Sequence, residues 1–300
     1  MDNLQKANAL QENGATTFAW LPGSASLAMA TDSQVVVYQL NPPGQTETIP
    51  VDTPSKLTTS PDQKLLAWAT PDNVVHLWSI PENREAQTFR GAAGAITSLA
   101  FSPFGDQLAA STFDNQVDIW DTSSGKLLAS WSFSYWATNL SFDPNGNLLA
   151  GVDLQNFQVH IWNLKSGEEV SNLSWTEHAS PVLTGAFFSP DWKTVAWVAR
   201  GTVQLMDVAT AQLGVSLSHE DFVSADIAWS PDGKLLTSAS AATVDGNFSP
   251  VAIVWDVASG QPVKTLVQPQ PVLSLAFSQD GKELGMLDAG GGLQLWAVAR

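Results

Sequence analysis

The sequence predicts an all-β protein made of seven copies of one short structural unit. One turn recurs along the chain, for example as Ser60-Pro61-Asp62-Gln63 and Ser230-Pro231-Asp232-Gly233. Proline presets φ at the second position of a turn, and Asp, Asn and Gly suit the reversal that follows. The second positions of the seven turns are residues 22, 61, 103, 144, 190, 231 and 279, so their spacings run from 39 to 48 residues. This regularity predicts a repeat architecture rather than two unrelated domains.

A β-branched run that ends in a large side chain follows each turn. Val117-Asp118-Ile119-Trp120 and Val159-His160-Ile161-Trp162 are two of these runs. The large residues stand at positions 38, 78, 120, 162, 206, 255 and 296. Short strands at this period, four to a unit (strands a to d) and bounded by Gly, Pro and Asp, predict a single seven-bladed β-propeller over residues 1–300.

The repeats resemble those of the WD-repeat (WD40) family. Ile119-Trp120-Asp121 and Val254-Trp255-Asp256 match the end-of-strand signature of that family, and Leu99-Ala100-Phe101-Ser102-Pro103 matches the strand before its hairpin. The resemblance covers essentially the whole chain. It implies a propeller of four-stranded blades, but it says almost nothing about chemistry, because the same fold serves many functions.

The two ends of the chain are predicted to complete one blade together. The last unit stops after its third strand, and residues 3–11 precede the first unit. We therefore expect Asn3 to Gln11 to supply the outer strand of blade 7 and so close the ring, as in related propellers. This pairing would cover an open sheet edge, which otherwise invites aggregation.

The sequence departs from the family in the polar residues of its blades. Many family members link a strand-c Trp, a strand-b Ser, an Asp before strand c and a His before strand a by hydrogen bonds. The Asp is present here at Asp32, Asp72 and Asp114, but no blade has the whole set. Trp68 and Trp197 even occupy the position of the strand-b Ser. The departures therefore predict blades held together mainly by apolar packing.

Composition excludes several classes of protein and partner. The chain has no cysteine, which excludes a disulfide scaffold, a thiolate zinc site and a cysteine nucleophile. The net charge of −16 repels phosphates, so neither nucleic acid nor an anionic membrane is an expected partner. The N-terminal residues lack the basic and apolar segments of a signal peptide, so a cytoplasmic protein is expected, with export by a leader already removed as the alternative.

Aromatic residues that the repeat pattern does not explain suggest a binding surface. In propellers, partners usually bind the face formed by the d–a and b–c loops. Tyr135 and Trp136 precede strand a of blade 4, Trp175 ends its strand d, and Phe113 and Phe157 lie in the b–c loops of blades 3 and 4. Because exposed aromatic side chains are preferred anchors, these five are candidate partner-binding residues. The alternative is that they cap the blade ends and close loops over the core.

The same face is predicted to be acidic. Its loops carry 11 acidic residues against Arg90 and Arg200. An acidic face can attract a basic protein or peptide, and Glu177, Glu220 and Asp221 are candidate contacts to cations on such a partner. The alternative is that these acids serve solubility and turn formation.

Other loops give weaker indications. The b–c connection of blade 6, residues 241–250, is the longest insertion and is either a binding loop or a tolerated insertion. Its Asp245-Gly246-Asn247 resembles a fragment of a calcium loop but lacks the remaining ligands.

Histidines and known catalytic motifs do not indicate an active site. His178 and His219, with Glu177 or Glu220, are the combination closest to a zinc set, and no spacing motif supports it. His76 and His160 occupy equivalent positions in blades 2 and 4 and should be too distant to share an ion. No nucleophile elbow, phosphate loop or HExxH motif occurs. We therefore expect no catalytic residue, metal or cofactor.

Together these observations favour a non-catalytic scaffold that binds another protein or a peptide on the face of the d–a and b–c loops. The main alternative is an enzyme, or a binder of metals or small ligands, that uses the central channel of the propeller. A third is that the chain is one propeller of a longer multidomain regulator.

Overall fold

The computed structural model describes residues 4–90, 94–174, 183–199, 202–218, 226–244 and 247–298. Its 28 strands form seven four-stranded antiparallel sheets. A 3-10 turn at Pro22–Ser24 is the one helical segment within these ranges. Within the described residues, no helix has the length and apolar character needed to cross a membrane. The predicted all-β fold class, a propeller of seven blades, is therefore confirmed.

Residues 25–178 form one compact unit. Its first three strands belong to blade 1, and its other strands form blades 2, 3 and 4. Blade 1 has β3 (Ser26–Ala30), β4 (Gln34–Leu40) and β5 (Pro43–Pro50) here. Blade 2 has β6 (Ser55–Thr59), β7 (Leu65–Ala69), β8 (Val75–Ser79) and β9 (Arg84–Phe89). Blade 3 has β10 (Ile96–Phe101), β11 (Gln107–Thr112), β12 (Gln116–Asp121) and β13 (Leu127–Ser132). Blade 4 has β14 (Thr138–Phe142), β15 (Leu148–Asp153), β16 (Gln158–Asn163) and β17 (Glu169–Ser174).

Residues 1–24 and 179–300 form a second compact unit. It contains β1 (Leu4–Gln11) and β2 (Thr17–Trp20) from the start of the chain. Blade 5 has β18 (Leu183–Phe188), β19 (Thr194–Ala199), β20 (Thr202–Asp207) and β21 (Leu213–Ser218). Blade 6 has β22 (Ile227–Trp229), β23 (Leu235–Val244), β24 (Asn247–Asp256) and β25 (Pro262–Val267). Blade 7 has β26 (Val272–Phe277), β27 (Glu283–Asp288) and β28 (Gly292–Val298).

The strands of each sheet follow chain order, except in blade 7. There β1 pairs antiparallel with β28 as the fourth strand, with Leu10 opposite Leu293. The backbone N–H of Glu12 extends this pairing by donating to the carbonyl of Gly291 at 2.9 Å. The prediction that the N-terminal segment completes blade 7 is confirmed for Leu4–Gln11, while Asn3 lies outside the described residues.

Repeated hydrogen bonds build the turn between strands a and b. In blade 2, Ser60 Oγ donates to Asp62 Oδ1 at 2.7 Å and accepts the N–H of Leu65 at 3.0 Å. The same Ser–Asp bond recurs in blades 5, 6 and 7 at 2.8 Å. The last turn residue has a positive φ, which glycine adopts readily, as at Gly233 with φ of 70°. Trp192 stands at this position in blade 5 with φ of 60°.

Apolar packing between neighbouring blades forms the core. In blades 3 and 4, Val117 and Ile119 of β12 belong to one buried cluster with Leu149 and Trp162. Trp68 and Trp197, at the strand-b position where the family carries Ser, are also buried. The prediction of blades held mainly by apolar packing therefore agrees with the described core.

Each blade is a four-stranded meander, so its loops divide between two ends. The a–b and c–d turns lie at one end, called here the lower end. The b–c loop and the d–a connection lie at the other, called the upper end.

In blade 6 the predicted insertion continues as a hairpin, because β23 and β24 remain paired as far as Val244 and Asn247.

Candidate functional site

The described part of the upper end contains four of the predicted partner-binding residues. Phe113, Tyr135, Trp136 and Phe157 all lie in the unit of residues 25–178. The other four predicted contacts, and the two histidines of the suggested zinc set, lie outside the described residues. They are Trp175, Glu177, Glu220, Asp221, His178 and His219.

Phe113 and Trp136 form an aromatic pair at the upper end. Phe113 directly follows β11, and Trp136 lies in the connection between blades 3 and 4. Their ring centroids are 5.1 Å apart with the planes tilted by 47°. Phe113 is 57% exposed and Trp136 is partly buried. The structure thus brings together two predicted anchors from different loops and leaves one of them largely open to solvent.

Backbone contacts fix the loop that carries Phe113. Its N–H donates to the carbonyl of Ala95 at 3.0 Å, in the connection that leads into β10. The next residue, Asp114, is exposed, and its carboxyl group lies against Gly94. A Cβ atom on Gly94 would stand 2.6 Å from Asp114 Cγ, so a larger residue there would push this exposed carboxyl group aside. The residue that follows Phe113 thus adds an exposed carboxyl group to this loop.

Tyr135 differs from the expectation of an exposed anchor, because its side chain is buried. Its ring stacks on Phe133, with centroids 5.5 Å apart, and on His160, with centroids 4.1 Å apart. Burial raises the pKa of the Tyr135 hydroxyl, and the carboxylates of Glu169 and Asp153 add to that increase. Tyr135 therefore supports the loop from beneath, as the alternative interpretation of these aromatic residues proposed.

Phe157 lies in the b–c loop of blade 4 and is partly buried. It has a positive φ of 56°. Asp153, at the end of β15, shapes this loop by accepting the N–H groups of Gln155 at 2.8 Å and Asn156 at 3.1 Å. It also accepts a bond from Asn156 Nδ2 at 2.6 Å. The loop thus holds Phe157 at the same end as the aromatic pair.

A buried histidine under Tyr135 was not singled out by the sequence analysis. His160 Nδ1 lies 3.1 Å from Glu169 Oε1, and Nε2 lies 3.9 Å from Asp153 Oδ2. Neither nitrogen makes a hydrogen bond of good geometry, and the hydroxyl of Tyr135 has no partner either. Buried polar atoms without partners are uncommon in native proteins. The sequence places His160 at the same repeat position as His76, which could have indicated a shared structural role. The two histidines were compared above only as possible metal ligands.

His76 in blade 2 has the same strand position but better partners. Its Nδ1 lies 2.6 Å from Glu85 Oε1, and its Nε2 lies 3.3 Å from Thr70 Oγ1. Its ring stacks on Trp68 with centroids 5.6 Å apart. Among the side chains that the structure describes, no group of three or more His, Asp or Glu could hold a metal ion.

The lower end of blade 3 also exposes apolar side chains. Phe104, in the a–b turn, is 68% exposed, and Leu127 and Leu128 are exposed at the start of β13. None of these residues belongs to the binding site predicted from the sequence. Phe104 is a suitable control for Phe113, because the two are exposed phenylalanines at opposite ends of one blade.

Comparison with known proteins agrees with the architecture. The profile of the WD domain, G-beta repeat, matches residues 83–121 and 212–248. The first stretch runs from strand d of blade 2 through strand c of blade 3, and the second lies in blades 5 and 6. The matched repeats and the seven four-stranded sheets decide the family. The chain is a WD-repeat protein.

Several curated proteins are similar to this WD-repeat protein. Periodic tryptophan protein 2 of Arabidopsis thaliana is 30% identical over 207 residues, which are 68% of this chain and 22% of the relative. Pre-mRNA-processing factor 19 of Mus musculus is 30% identical over 130 residues, 42% of this chain and 25% of the relative. Eukaryotic translation initiation factor 3 subunit I of Botryotinia fuckeliana is 22% identical over 182 residues, 56% of this chain and 54% of the relative. The WD-repeat protein therefore spans about a quarter of the length of the first two.

Proposed function

We propose that this WD-repeat protein is a non-catalytic scaffold that binds another protein or a peptide at the upper end of blades 3 and 4. The observation that carries the proposal is the Phe113–Trp136 pair, with centroids 5.1 Å apart and Phe113 57% exposed. Aromatic side chains that combine a fixed position with exposure are preferred binding anchors. A partner would cover Phe113 and pack against the exposed part of the Trp136 ring.

The loops around the pair favour a pre-formed surface. The N–H of Phe113 is bound to Ala95, and the carbonyl of Ala137 accepts a bond from Thr97 Oγ1 at 2.8 Å. These bonds hold the chain on both sides of the aromatic pair. A surface that is already ordered loses less conformational entropy when it binds a partner.

Charge indicates the class of partner. Asp114 stands beside Phe113, and the protein as a whole carries a net charge of −16. A basic segment would be attracted to this surface, and a cationic side chain can also stack on Trp136. Glu177, Glu220 and Asp221 remain part of the proposal as further contacts to such a segment.

The comparisons support a scaffold in general terms. One relative is named as a subunit of a translation initiation factor and another as a pre-mRNA-processing factor. Both names are compatible with the proposed scaffold role.

Site-specific photo-crosslinking tests the location of the surface. A benzophenone amino acid placed at position 113 should yield a covalent adduct with a partner in the source cell. The same group at position 104, a phenylalanine at the lower end that is even more exposed, is the matched control and should yield none. Adducts from position 104 alone, or equal adducts from both, would contradict the proposal.

A further inference from the structure

The cluster beneath the binding surface contains several buried polar atoms that lack partners. They are both nitrogens of His160, the hydroxyl of Tyr135 and Nε1 of Trp162. The side chains that carry them are stacked in one column, because His160 lies 4.1 Å from Tyr135 and 6.0 Å from Trp162 between ring centroids. Such a concentration of unsatisfied groups in one place calls for a physical account.

Two carboxylates and one phenol ring face His160. Asp153 approaches its Nε2 from β15, Glu169 approaches its Nδ1 from β17, and Tyr135 covers its face from the connection between blades. From blade 3, Val117 and Ile119 belong to the hydrophobic cluster that also contains Tyr135 and Trp162. Glu169 Oε1 also accepts a bond from Asn172 Nδ2 at 3.2 Å. His160 thus lies between these two carboxylates, near one at each ring nitrogen.

A neutral imidazole cannot satisfy both of its carboxylate neighbours. It has one N–H donor, so one of its two nitrogens must face a carboxylate with a lone pair. An imidazolium has two donors, one for Glu169 and one for Asp153, and a cation this close to an aromatic face is attracted to it. Protonation therefore adds a second donor for the carboxylates and strengthens the existing contact with the Tyr135 ring, which reaches the binding loop.

We propose that His160 is a proton-operated support for the binding surface. When it gains a proton, it engages Asp153 and Glu169 and holds Tyr135, so that the loop bearing Trp136 becomes more ordered. When it loses the proton, this support weakens. The proposal rests on the proposed function, because it describes regulation of the same surface: partners should bind more tightly at mildly acidic pH than at mildly alkaline pH.

Hydrogen exchange of the loop amides tests this inference without any partner. After correction for the intrinsic pH dependence, the amides of Trp136 and Ala137 should exchange about five-fold or more slowly at pH 5.5 than at pH 8. His160→Phe keeps a ring against Tyr135 and should remove the difference. His76→Phe is the matched control, since His76 has the same strand position in blade 2, and it should leave the difference intact.

The outcomes separate this inference from the proposed function. A wild-type protein without the pH difference, or a loss of the difference in His76→Phe alone, would overturn the role of His160 and leave the partner surface untouched. Nitrogen-15 NMR of the wild-type histidines gives an answer that needs no variant. The resonances of His160 and of the Tyr135 ring should change together between pH 5.5 and pH 8. A His160 resonance that stays constant over this range would also overturn the inference.

Discussion

Trp255 donates a hydrogen bond from Nε1 to the Oγ atom of Ser238 at 2.9 Å, with both side chains buried. Ser238 lies on β23 at the position that Trp68 occupies on β7 and Trp197 on β19. Blade 6 thus keeps the Ser–Trp part of the polar set that is frequent in the family. In blade 4 the corresponding residue is Gly151, and Nε1 of Trp162 has no partner.

Replacing Ser238 should destabilise blade 6. Ser238→Ala leaves the buried Nε1 of Trp255 without an acceptor, which should lower the free energy of unfolding by about 1–2 kcal/mol. Thr237→Val is the neighbouring control, because the Thr237 hydroxyl is buried and has no hydrogen-bond partner. That change should be neutral or stabilising. Urea unfolding of the two variants measures both values, and equal effects would contradict the assignment.

Removing β1 should destabilise blade 7. Deletion of residues 1–11 removes the pairing of β1 with β28 and opens the edge of that sheet. We expect a sharp fall in the melting temperature and increased aggregation, since an unpaired edge strand recruits other chains. Lys6→Ala, at an exposed position of β1, controls for composition and should change little. Calorimetry that shows the deleted protein melting at the wild-type temperature would rule out a structural role for β1.

Asp226 should make stability depend on pH. Its carboxylate accepts the N–H of Ile227 at 2.9 Å and that of Leu275 at 3.0 Å, joining the first strands of blades 6 and 7. Burial raises the pKa of Asp226 to about 7, and the two N–H bonds reduce that increase. The folded state therefore holds this proton more tightly than the unfolded chain, in which an Asp pKa is about 3.9. Its contribution to stability is full below about pH 4 and is lost as the pH rises through 7.

Asp226→Asn isolates this effect, because an amide does not titrate. The free energy of unfolding of the wild type, minus that of the variant, should fall by about 2.5 kcal/mol between pH 5 and pH 8, because two pH units of this range lie below the folded-state pKa. Each pH unit between the two pKa values is worth at most about 1.4 kcal/mol. Taking the difference cancels the titration of the other carboxylates. A difference that stays constant across this range would show that Asp226 does not titrate there.

Repetition made the fold predictable from the sequence. The turn of Ser60 to Gln63 and the strand ending at Trp120 recur often enough to fix the register of all seven blades, and the leftover residues 3–11 had one open sheet edge to pair with. Local chemistry determines these features, because a proline turn and an alternating strand need few long-range contacts.

The site was less predictable, because the sequence of a loop does not show which of its side chains face solvent. Tyr135 and Trp136 are adjacent and both aromatic, yet Tyr135 is buried against His160 and Trp136 turns to Phe113. That difference depends on how blades 3 and 4 pack, which sequence periodicity does not specify. The same holds for His160, whose carboxylate neighbours come from two other strands.

The most direct test of the scaffold account is affinity capture from the source cell by the wild type, Phe113→Ala and Phe104→Ala. Both substitutions remove an exposed phenylalanine from blade 3, so all three proteins should melt alike. We expect Phe113→Ala to reduce capture of one stoichiometric partner about ten-fold or more, the loss typical of a binding anchor, with Phe104→Ala unchanged. Equal capture by all three proteins would contradict a binding surface at the upper end of blades 3 and 4.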